Sequence, residues 1–249
     1  MFLALDIGNS AVKAGLYGGD AWRVERFPFE DAGRLAGAFG AAAVSAAGLA
    51  SVVPTQTTTW AGAARRAFGV DPVLLTVSMP LPFRMGYRTP ETLGTDRLAA
   101  AAAAFLLFGR PAEGVVRPVV ALDAGTAWTL DVVDGEGVYR GGAIAPGPDL
   151  LRRSLSRGTA QLPEVTFDLP ASPIGGSTTE ALQAGLLFPF LDGLAGLLDR
   201  VSDELGARPF TVLTGGWGPF LYDHLPGRFD AVAPHLVLDG IRLLVEGWR

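Results

Sequence analysis

Apolar and polar positions alternate in short blocks from the start of the chain, and one block occurs twice. Residues 4–8 read Ala-Leu-Asp-Ile-Gly, and residues 121–125 read Ala-Leu-Asp-Ala-Gly. Each copy ends a strand-like run and is followed by small polar residues and a second strand-like run, over residues 11–17 and 127–133. Each half of the chain is therefore predicted to open with a β-hairpin whose turn carries Asp-x-Gly. The spacing of about half the chain favours a duplicated domain.

The rest of the pattern predicts strands that alternate with helices. Helices are expected over residues 30–39, 57–68, 96–108, 150–157, 178–187 (continuing to 205), 219–225 and 235–248, and strands over 46–53, 72–76 and 210–213. Glycine, proline and charged residues are concentrated in residues 110–117, which we expect to form a hinge. This order predicts an α/β fold with a mixed sheet in each of two domains, residues 1–112 and 113–249.

The amino-acid composition argues against several classes of function. The chain is 49% hydrophobic and 18% charged, which is typical of a globular protein. A net charge of -5, without a run of Lys or Arg, argues against a nucleic-acid partner. The absence of cysteine and the presence of only two histidines exclude disulfides, a cysteine nucleophile and a multi-histidine metal centre. Because the N-terminus does not resemble a signal peptide and the longest apolar run (98–108) is short, we expect a cytoplasmic protein without a membrane partner.

The first Asp-x-Gly segment, residues 6–13, carries groups that suit phosphate binding. A glycine turn exposes backbone N–H groups to phosphate oxygens, and Lys13 adds a positive charge. Asp6 is a candidate to hold magnesium, through water. A single Asp-x-Gly turn is more simply explained as an ordinary hairpin turn, but its second occurrence favours phosphate binding.

The second segment, residues 123–129, supplies a matching loop. Gly125 and Thr126 are candidates to cradle the transferring phosphate, and Asp123 is a candidate to hold a cation. Two such loops that close on a nucleotide form the phosphate clamp of actin-like folds. A later Thr-Gly-Gly sequence, residues 214–216, is either a simple strand-to-helix turn or a close approach of backbone to adenosine.

A third segment, Tyr87 to Arg97, ends at the predicted start of a helix. Asp96 is most simply an N-cap, a position that favours Asp. A carboxylate there also stays ionised and can accept the proton of an attacking hydroxyl during phosphoryl transfer. Arg97 offers a bidentate fork for a substrate carboxylate, and its alternative is a solvated arginine on the helix surface.

Together these segments resemble the type III pantothenate kinases. The match comprises seven motifs in order: residues 6–13, 87–97, 123–129, 141–147 (Gly-Gly-x-Ile-x-Pro-Gly), 159–163 (Thr-Ala-x-Leu-Pro), Thr178 before a helix, and 214–216. The resemblance implies duplicated actin-like (ribonuclease H-like) domains with a nucleotide cleft between them. It also implies ATP-dependent phosphorylation of pantothenate to 4′-phosphopantothenate, the first step of coenzyme A biosynthesis.

The resemblance further implies roles for individual residues. Asp96 is then the proton acceptor, Asp123 the ligand of a monovalent cation (K⁺ or NH₄⁺), and Mg²⁺ accompanies ATP. Thr178 completes the pantothenate pocket, in the family often from the neighbouring subunit, which implies a homodimer. The implied pantothenate contacts are Tyr87, Gly94, Thr95, Asp96, Arg97 and Thr178, and the implied ATP contacts are Asp6, Ile7, Gly8, Asn9, Ser10, Ala11, Val12, Lys13 and Thr126. Thr95 stands where alanine is common in the family, and Ser10 where threonine is common.

Two other readings stay open. The first is a non-enzymatic relative, an ATP-binding regulator or transcription accessory factor whose ATP loops look similar. The second is another actin-fold phosphotransferase, for a sugar or acetate, or a polyphosphate phosphatase. The presence of both Asp96 and Arg97 favours the pantothenate kinase.

Overall fold

The computed structural model describes residues 1–248 and shows a mixed α/β protein with two mixed sheets, as predicted. The first sheet has the spatial order β3-β2-β1-β4-β5. Its strands are β1 (Phe2–Ile7), β2 (Val12–Gly18), β3 (Ala21–Phe27), β4 (Ala46–Ser51) and β5 (Val73–Leu74). Strand β2 is antiparallel to both β1 and β3, whereas β4 is parallel to β1 and β5. The predicted first hairpin is therefore confirmed.

The second sheet has six strands in the order β11-β10-β7-β8-β9-β6. They are β6 (Arg84–Met85), β7 (Val119–Ala124), β8 (Ala127–Val133), β9 (Val138–Pro146), β10 (Phe210–Thr214) and β11 (Ala231–Val232). Strand β6 runs parallel to β9, and β10 runs parallel to β11. The sequence pattern does not predict β3, β6 or β11.

Seven α-helices lie within the described residues. They are α1 (Leu35–Phe39), α2 (Pro54–Phe68), α3 (Thr95–Ala104), α4 (Pro148–Gly158), α5 (Thr178–Leu205), α6 (Gly218–His224) and α7 (Leu236–Glu246). Short 3₁₀ turns cover Phe29–Arg34 and Pro90–Thr92, and α3 continues into a π-helical turn over Phe105–Gly109. The helix predicted over residues 30–39 is thus a 3₁₀ turn followed by one short α-helix.

The chain forms two compact units. Within the described residues, the first contains 1–121, 131–141 and 235–248, and the second contains 122–130 and 142–234. These ranges differ from a simple division at residue 112, because parts of β7, β8 and β9 belong to each unit. The duplicated-domain boundary stays a prediction.

The first unit is organised around β1, whose apolar side chains are buried along almost the whole strand. A strand with both faces covered needs a continuous apolar run in place of alternation, and Phe-Leu-Ala-Leu has that pattern. On the core of this unit, the rings of Phe27 and Trp60 pack with centroids 5.5 Å apart. This sheet fixes the turn that follows β1.

Helix α3 packs closely against α7. Residues 98–104 of α3 are all buried, and six of these seven residues are alanine. A Cβ atom built on Gly240 of α7 would collide with the carbonyl oxygen of Ala99. Small side chains on both helices therefore permit an approach that larger ones would prevent.

Helix α5, with 28 residues, is long and apolar enough to cross a membrane by length and composition only. The core helix of a globular protein can pass the same test. Its buried residues recur at helical spacing, which is typical of a helix with one face on a protein core. They are Gln183, Ala184, Leu186, Leu187, Phe190, Leu191, Leu194 and Leu198.

The close approach of α3 and α7 predicts a large effect of one methyl group. Gly240→Ala is expected to lower the free energy of unfolding by about 1–3 kcal/mol or more, because the obstructing atoms belong to the backbone and cannot rotate away. Urea unfolding followed by circular dichroism measures the change. Gly193→Ala is the matched control, since this helical glycine has nothing within 4 Å of a built Cβ. The control should be neutral or gain up to about 1 kcal/mol from helix propensity. Equal unfolding midpoints for the two variants would contradict the proposed packing.

Candidate active site

The turn between β1 and β2 carries the first Asp-x-Gly segment. The N–H of Gly8 donates to the carbonyl oxygen of Ala11 at 3.2 Å and closes the turn. Ile7 and Val12 pair across the hairpin, and both side chains are fully buried in the core. Only the backbone N–H and C=O groups of these two residues are therefore able to contact a ligand. Asn9 and Ser10, at the tip of the turn, are exposed.

The neighbouring strand β4 connects this turn to helix α3. Ser51 pairs with Ile7 in the parallel register, and the N–H of Val52 donates to the Ile7 carbonyl at 3.1 Å. The hydroxyl oxygen of Thr95 accepts from the Ser51 N–H at 2.8 Å, and the hydroxyl donates to the Ser51 carbonyl at 3.2 Å. An alanine at position 95 would make neither bond. The first residue of α3 is thus fastened to the strand next to the Asp-x-Gly turn.

Asp96 lies in the first turn of α3 but is not the N-cap. Gly94 occupies that position, and Asp96 Oδ1 accepts the N–H of Arg97 at 2.8 Å. Partial burial raises the pKa of Asp96 above its ordinary value, although this N–H and the charge of Arg97 oppose the shift. A Cβ atom on Gly94 would lie only 2.5 Å from Asp96 Oδ1. Glycine at position 94 therefore leaves the space that the carboxylate occupies.

Arg97 is buried, with 7% of its surface exposed, so its interpretation as a solvated surface arginine is wrong. Its Nε donates to Asp131 Oδ1 at 3.0 Å and to Oδ2 at 3.3 Å, and its Nη2 donates to Oδ1 at 2.6 Å. Burial, the largest single effect, disfavours the charged guanidinium, but the charge and hydrogen bonds of Asp131, with contributions from Tyr139 and Tyr87, together outweigh it and raise the pKa of Arg97. The Nε–Nη2 edge of the predicted fork is therefore occupied by a protein carboxylate. The N–H groups of Arg97 that Asp131 does not engage are the two of Nη1 and the second one of Nη2.

Asp131, in the middle of β8, has a fully buried side chain. Tyr139 of β9 donates its hydroxyl hydrogen to Asp131 Oδ1 at 2.7 Å. Burial raises the pKa of Asp131 to about 6, against the opposing charge and hydrogen bonds of Arg97. Burial, together with the adjacent Asp131 charge, also raises the pKa of Tyr139. Sequence reasoning missed both residues, although a carboxylate inside the apolar run Leu130–Val133 is a signal that could have pointed to them.

Tyr87 completes this group. Its ring meets that of Tyr139 edge-on, with centroids 6.0 Å apart, and a hydrogen bond with Tyr87 contributes to the raised pKa of Arg97. Gly141, at a φ of 92°, lies against the ring, and a Cβ there would come within 2.8 Å of it. The structure therefore brings together five predicted residues (Tyr87, Gly94, Thr95, Asp96 and Arg97) and adds Asp131 and Tyr139.

The second Asp-x-Gly loop, described within its own unit, is held by glycines from two other motifs. Gly147 donates its N–H to the carbonyl of Thr126 at 2.9 Å, and a Cβ on Gly147 would collide with the backbone of that loop. Gly215, at a φ of 92°, lies so close that a Cβ would come within 2.5 Å of Asp123 Oδ1 and of the Ala124 carbonyl. One glycine from each of two later motifs, Gly147 and Gly215, is therefore explained by close packing on residues 123–126.

Trp217, to which the sequence pattern assigns no role, holds the same loop in place. Its backbone N–H donates to the Ala124 carbonyl at 2.9 Å, and its indole Nε1 donates to Asp149 Oδ2 at 3.0 Å. The indole also packs edge-on against Phe167 at 4.6 Å. Trp217 thus ties the Asp-x-Gly loop to the start of α4.

Helix α5 begins with a variant of the capping box, in which Glu180 bonds to the residue before the N-cap. Ser177 is the N-cap and accepts the N–H of Glu180 at 3.3 Å, while Glu180 Oε2 accepts the N–H of Gly176 at 2.7 Å. Thr178 is the first helical residue and is exposed. Its hydroxyl is thus not needed for the cap.

The described part of the chain contains no group of three or more His, Cys, Asp or Glu residues placed to hold a metal ion. Magnesium that arrives with a nucleotide needs only one or two carboxylates, since phosphate and water supply the other ligands. Asp6 and Asp123 are the carboxylates of the two Asp-x-Gly loops.

Comparison with known proteins identifies the family. A model of the type III pantothenate kinase family matches residues 2–202. The type III pantothenate kinase of Chlorobaculum tepidum is 36% identical over 98% of this chain and 93% of its own length, and that of Gluconobacter oxydans is 31% identical over 99% and 93%. A solved structure from Campylobacter jejuni, described as a Baf family transcriptional activator, shares the fold with a TM-score of 0.62 and 21% identity over 98% of this chain and 97% of its own. The chain belongs to the type III pantothenate kinase family.

Proposed function

We propose that this chain transfers the γ-phosphoryl group of ATP to the primary hydroxyl of pantothenate, giving 4′-phosphopantothenate for coenzyme A biosynthesis. Family membership supports the substrate. The observation that carries the reaction type is the bond pair between Thr95 and Ser51, which fastens the start of α3 beside the strand that precedes the Gly8 turn. A carboxylate and a phosphate-binding turn are thereby held in one rigid part of the first unit.

In this proposal Asp96 is the general base. The pantothenate hydroxyl oxygen forms the new O–P bond, the bond between the γ-phosphorus and the β–γ bridging oxygen breaks, and ADP leaves. The hydroxyl proton passes to Asp96, where Oδ1 already accepts a backbone N–H and Oδ2 takes the proton. The Arg97 N–H keeps the carboxylate oriented, and positioning and electrostatics supply most of the rate.

The nucleotide contacts are assigned to each Asp-x-Gly loop separately. The backbone of residues 8–11 and the side chains of Asn9, Ser10 and Lys13 suit phosphate oxygens, and Thr126 is assigned to the second loop. The proposal includes duplicated actin-like domains, of which these loops are the repeated element. Asp6 would hold Mg²⁺ through water, and Mg²⁺ would offset phosphate charge.

Asp123 is proposed as the ligand of K⁺ or NH₄⁺. Two oxygen donors lie close together here, since one Cβ built on Gly215 would come within 2.5 Å of both Asp123 Oδ1 and the Ala124 carbonyl oxygen. These are oxygen donors, which hard cations prefer.

The pantothenate site is assigned to Tyr87, Gly94, Thr95, Asp96 and the Nη1 group of Arg97. Thr178 is proposed to reach a pantothenate site from the neighbouring subunit of a homodimer, and its exposure at the start of α5 supports this assignment. We further propose that the protein is cytoplasmic and binds neither nucleic acid nor membranes.

Asp96→Asn tests the reaction and its base together. Phosphate transfer from ATP to pantothenate is read by mass spectrometry of the product, with magnesium and ammonium present. We expect product from the wild type and a rate lower by on the order of 10²–10⁴ in the variant, because the amide cannot accept the proton.

The exposed Glu91→Gln, which removes a carboxylate from the same segment, is the matched control and should keep the wild-type rate. Wild-type turnover by Asp96→Asn would remove Asp96 from the role of base. If the wild type binds ATP but yields no product, pantothenate is not the substrate.

The raised pKa of Asp96 predicts the pH dependence of kcat/KM for pantothenate. The base acts as the carboxylate, so the rate falls as pH falls through the pKa of Asp96. Because burial raises that pKa, the acidic limb should lie above the 3.8 of an ordinary aspartate. A pH profile of wild type and Asp96→Asn measures this limb. Its persistence in the residual activity of the variant would assign it to another group.

Asp123 predicts a requirement for a monovalent cation. Activity should rise with K⁺ or NH₄⁺ and be low when tetramethylammonium, which is too large to enter, is the only monovalent cation. Asp123→Asn should shift the cation dependence to higher concentration, since one charged ligand is lost. The measurement is initial rate against cation concentration at constant ionic strength. Equal rates in tetramethylammonium and ammonium would contradict the assignment.

A further inference from the structure

Asp131 and Tyr139 form a buried polar pair that the proposed reaction does not use directly. They lie on adjacent strands, β8 and β9, and contact the substrate segment through Arg97 and Tyr87. We propose that Asp131, held by Tyr139, is a positioning residue for pantothenate: it fixes the Arg97 guanidinium so that Nη1 is presented to the substrate carboxylate. This inference rests on the proposed function.

The hydrogen bonds leave Arg97 little freedom to rotate. Two of its nitrogens, Nε and Nη2, both donate to Asp131 at 2.6–3.3 Å. Asp131 Oδ1 also accepts the Tyr139 hydroxyl at 2.7 Å, so that oxygen receives donors from two directions. A guanidinium held along one edge presents the opposite side in a fixed direction. Pre-organisation of this kind lowers the entropy cost of binding a carboxylate.

The aromatic rings extend the same constraint to Tyr87. The ring of Tyr139 stacks on Phe83, with centroids 5.5 Å apart, and meets Tyr87 edge-on at 6.0 Å. Gly141 also packs against Tyr87, where a Cβ would collide with the ring. Two of the side chains assigned to pantothenate, Arg97 and Tyr87, are therefore backed by residues outside that assignment.

A purely structural role explains this arrangement less well. Burying two charges is costly, and apolar residues of similar volume often give equal or greater stability than a buried ion pair. Asp131 also lies near enough to Asp96 for the two negative charges to repel, which adds to the cost. Arg97 offsets both charges, and a guanidinium presented to a substrate gives the pair a use that an apolar core would lack.

The test compares Asp131→Asn with the wild type in the transfer assay and by calorimetric titration with pantothenate. Loss of the charged partner frees Arg97 to rotate. We expect the pantothenate KM and Kd to rise on the order of 10- to 100-fold, with kcat and the KM for ATP within about twofold of wild type. Tyr139→Phe removes only the hydroxyl and keeps the ring, so a smaller rise of about 2- to 10-fold is expected.

Leu35→Ala controls for lost stability, because it opens a cavity in the core of the same unit, in a side chain that is fully buried in the apolar cluster. Its thermal midpoint should fall while its pantothenate KM stays at the wild-type value. An unchanged pantothenate KM in Asp131→Asn, or an equal rise in Leu35→Ala, overturns the positioning role while leaving the proposed function intact. If Asp131→Asn does not fold, Tyr139→Phe decides alone. A wild type without pantothenate turnover removes the proposed function and this inference with it.

Discussion

The fixed position of helix α3 is the constraint on which the candidate site depends. Its first residue is bonded to Ser51, its third residue is paired with Asp131, and its fifth lies against Gly240. These contacts lie within the first two turns, so neither shift nor rotation of the helix is possible without breaking a buried bond or causing a collision. Asp96 lies between Thr95 and Arg97, so the contacts of these two residues also fix the position of its backbone. A half-buried carboxylate on so short a segment needs no loop movement to be oriented.

The electrostatics of this region follow from burial. Removing carboxylates from water raises their pKa values, and here one guanidinium offsets two of them, Asp96 and Asp131. For Asp131 the pKa of about 6 exceeds the value of an unfolded aspartate, so the unfolded state loses its proton first as pH rises. The contribution of this group to stability is therefore fully present below the unfolded pKa and declines as pH rises through the folded one. Near neutral pH the charged Asp131 therefore lowers the free energy of unfolding, and groups with shifted pKa values of this kind are common in functional sites.

Sequence reasoning succeeded where the signal is local. The hairpin around Gly8, the helix after Gly94 and the long helix from Thr178 follow from apolar periodicity, glycine turns and a capping serine, and all three are present. It failed where a partner is distant in sequence. Nothing near Arg97 indicates that its guanidinium pairs with a residue 34 positions later. The N-cap interpretation of Asp96 failed by two residues, because Gly94 also starts a helix and periodicity does not fix the boundary.

The same limit applies to the compact units. The internal echo of Asp-x-Gly carries no information about residues 235–248, which belong with the first compact unit, where α7 covers α3 and the first sheet. The pattern of α7, which is apolar on one side, predicts a helix that packs on something. Only the steric match between Gly240 and Ala99 identifies its partner. Because this contact depends on glycine having no side chain, the pattern of apolar and polar residues does not predict it.

The fold by itself does not separate a kinase from a regulator. A structure that shares this fold is described as a transcriptional activator, and fold is a poor guide to activity. A protein that only senses a nucleotide needs its phosphate-binding turns. Sensing a nucleotide does not require the Asp96 carboxylate, which is held between Thr95, bonded to strand β4, and Arg97, paired with the buried Asp131. Because such groups are costly to bury without function, the first turn of α3 is the part of the molecule that argues most directly for phosphoryl transfer to a bound hydroxyl.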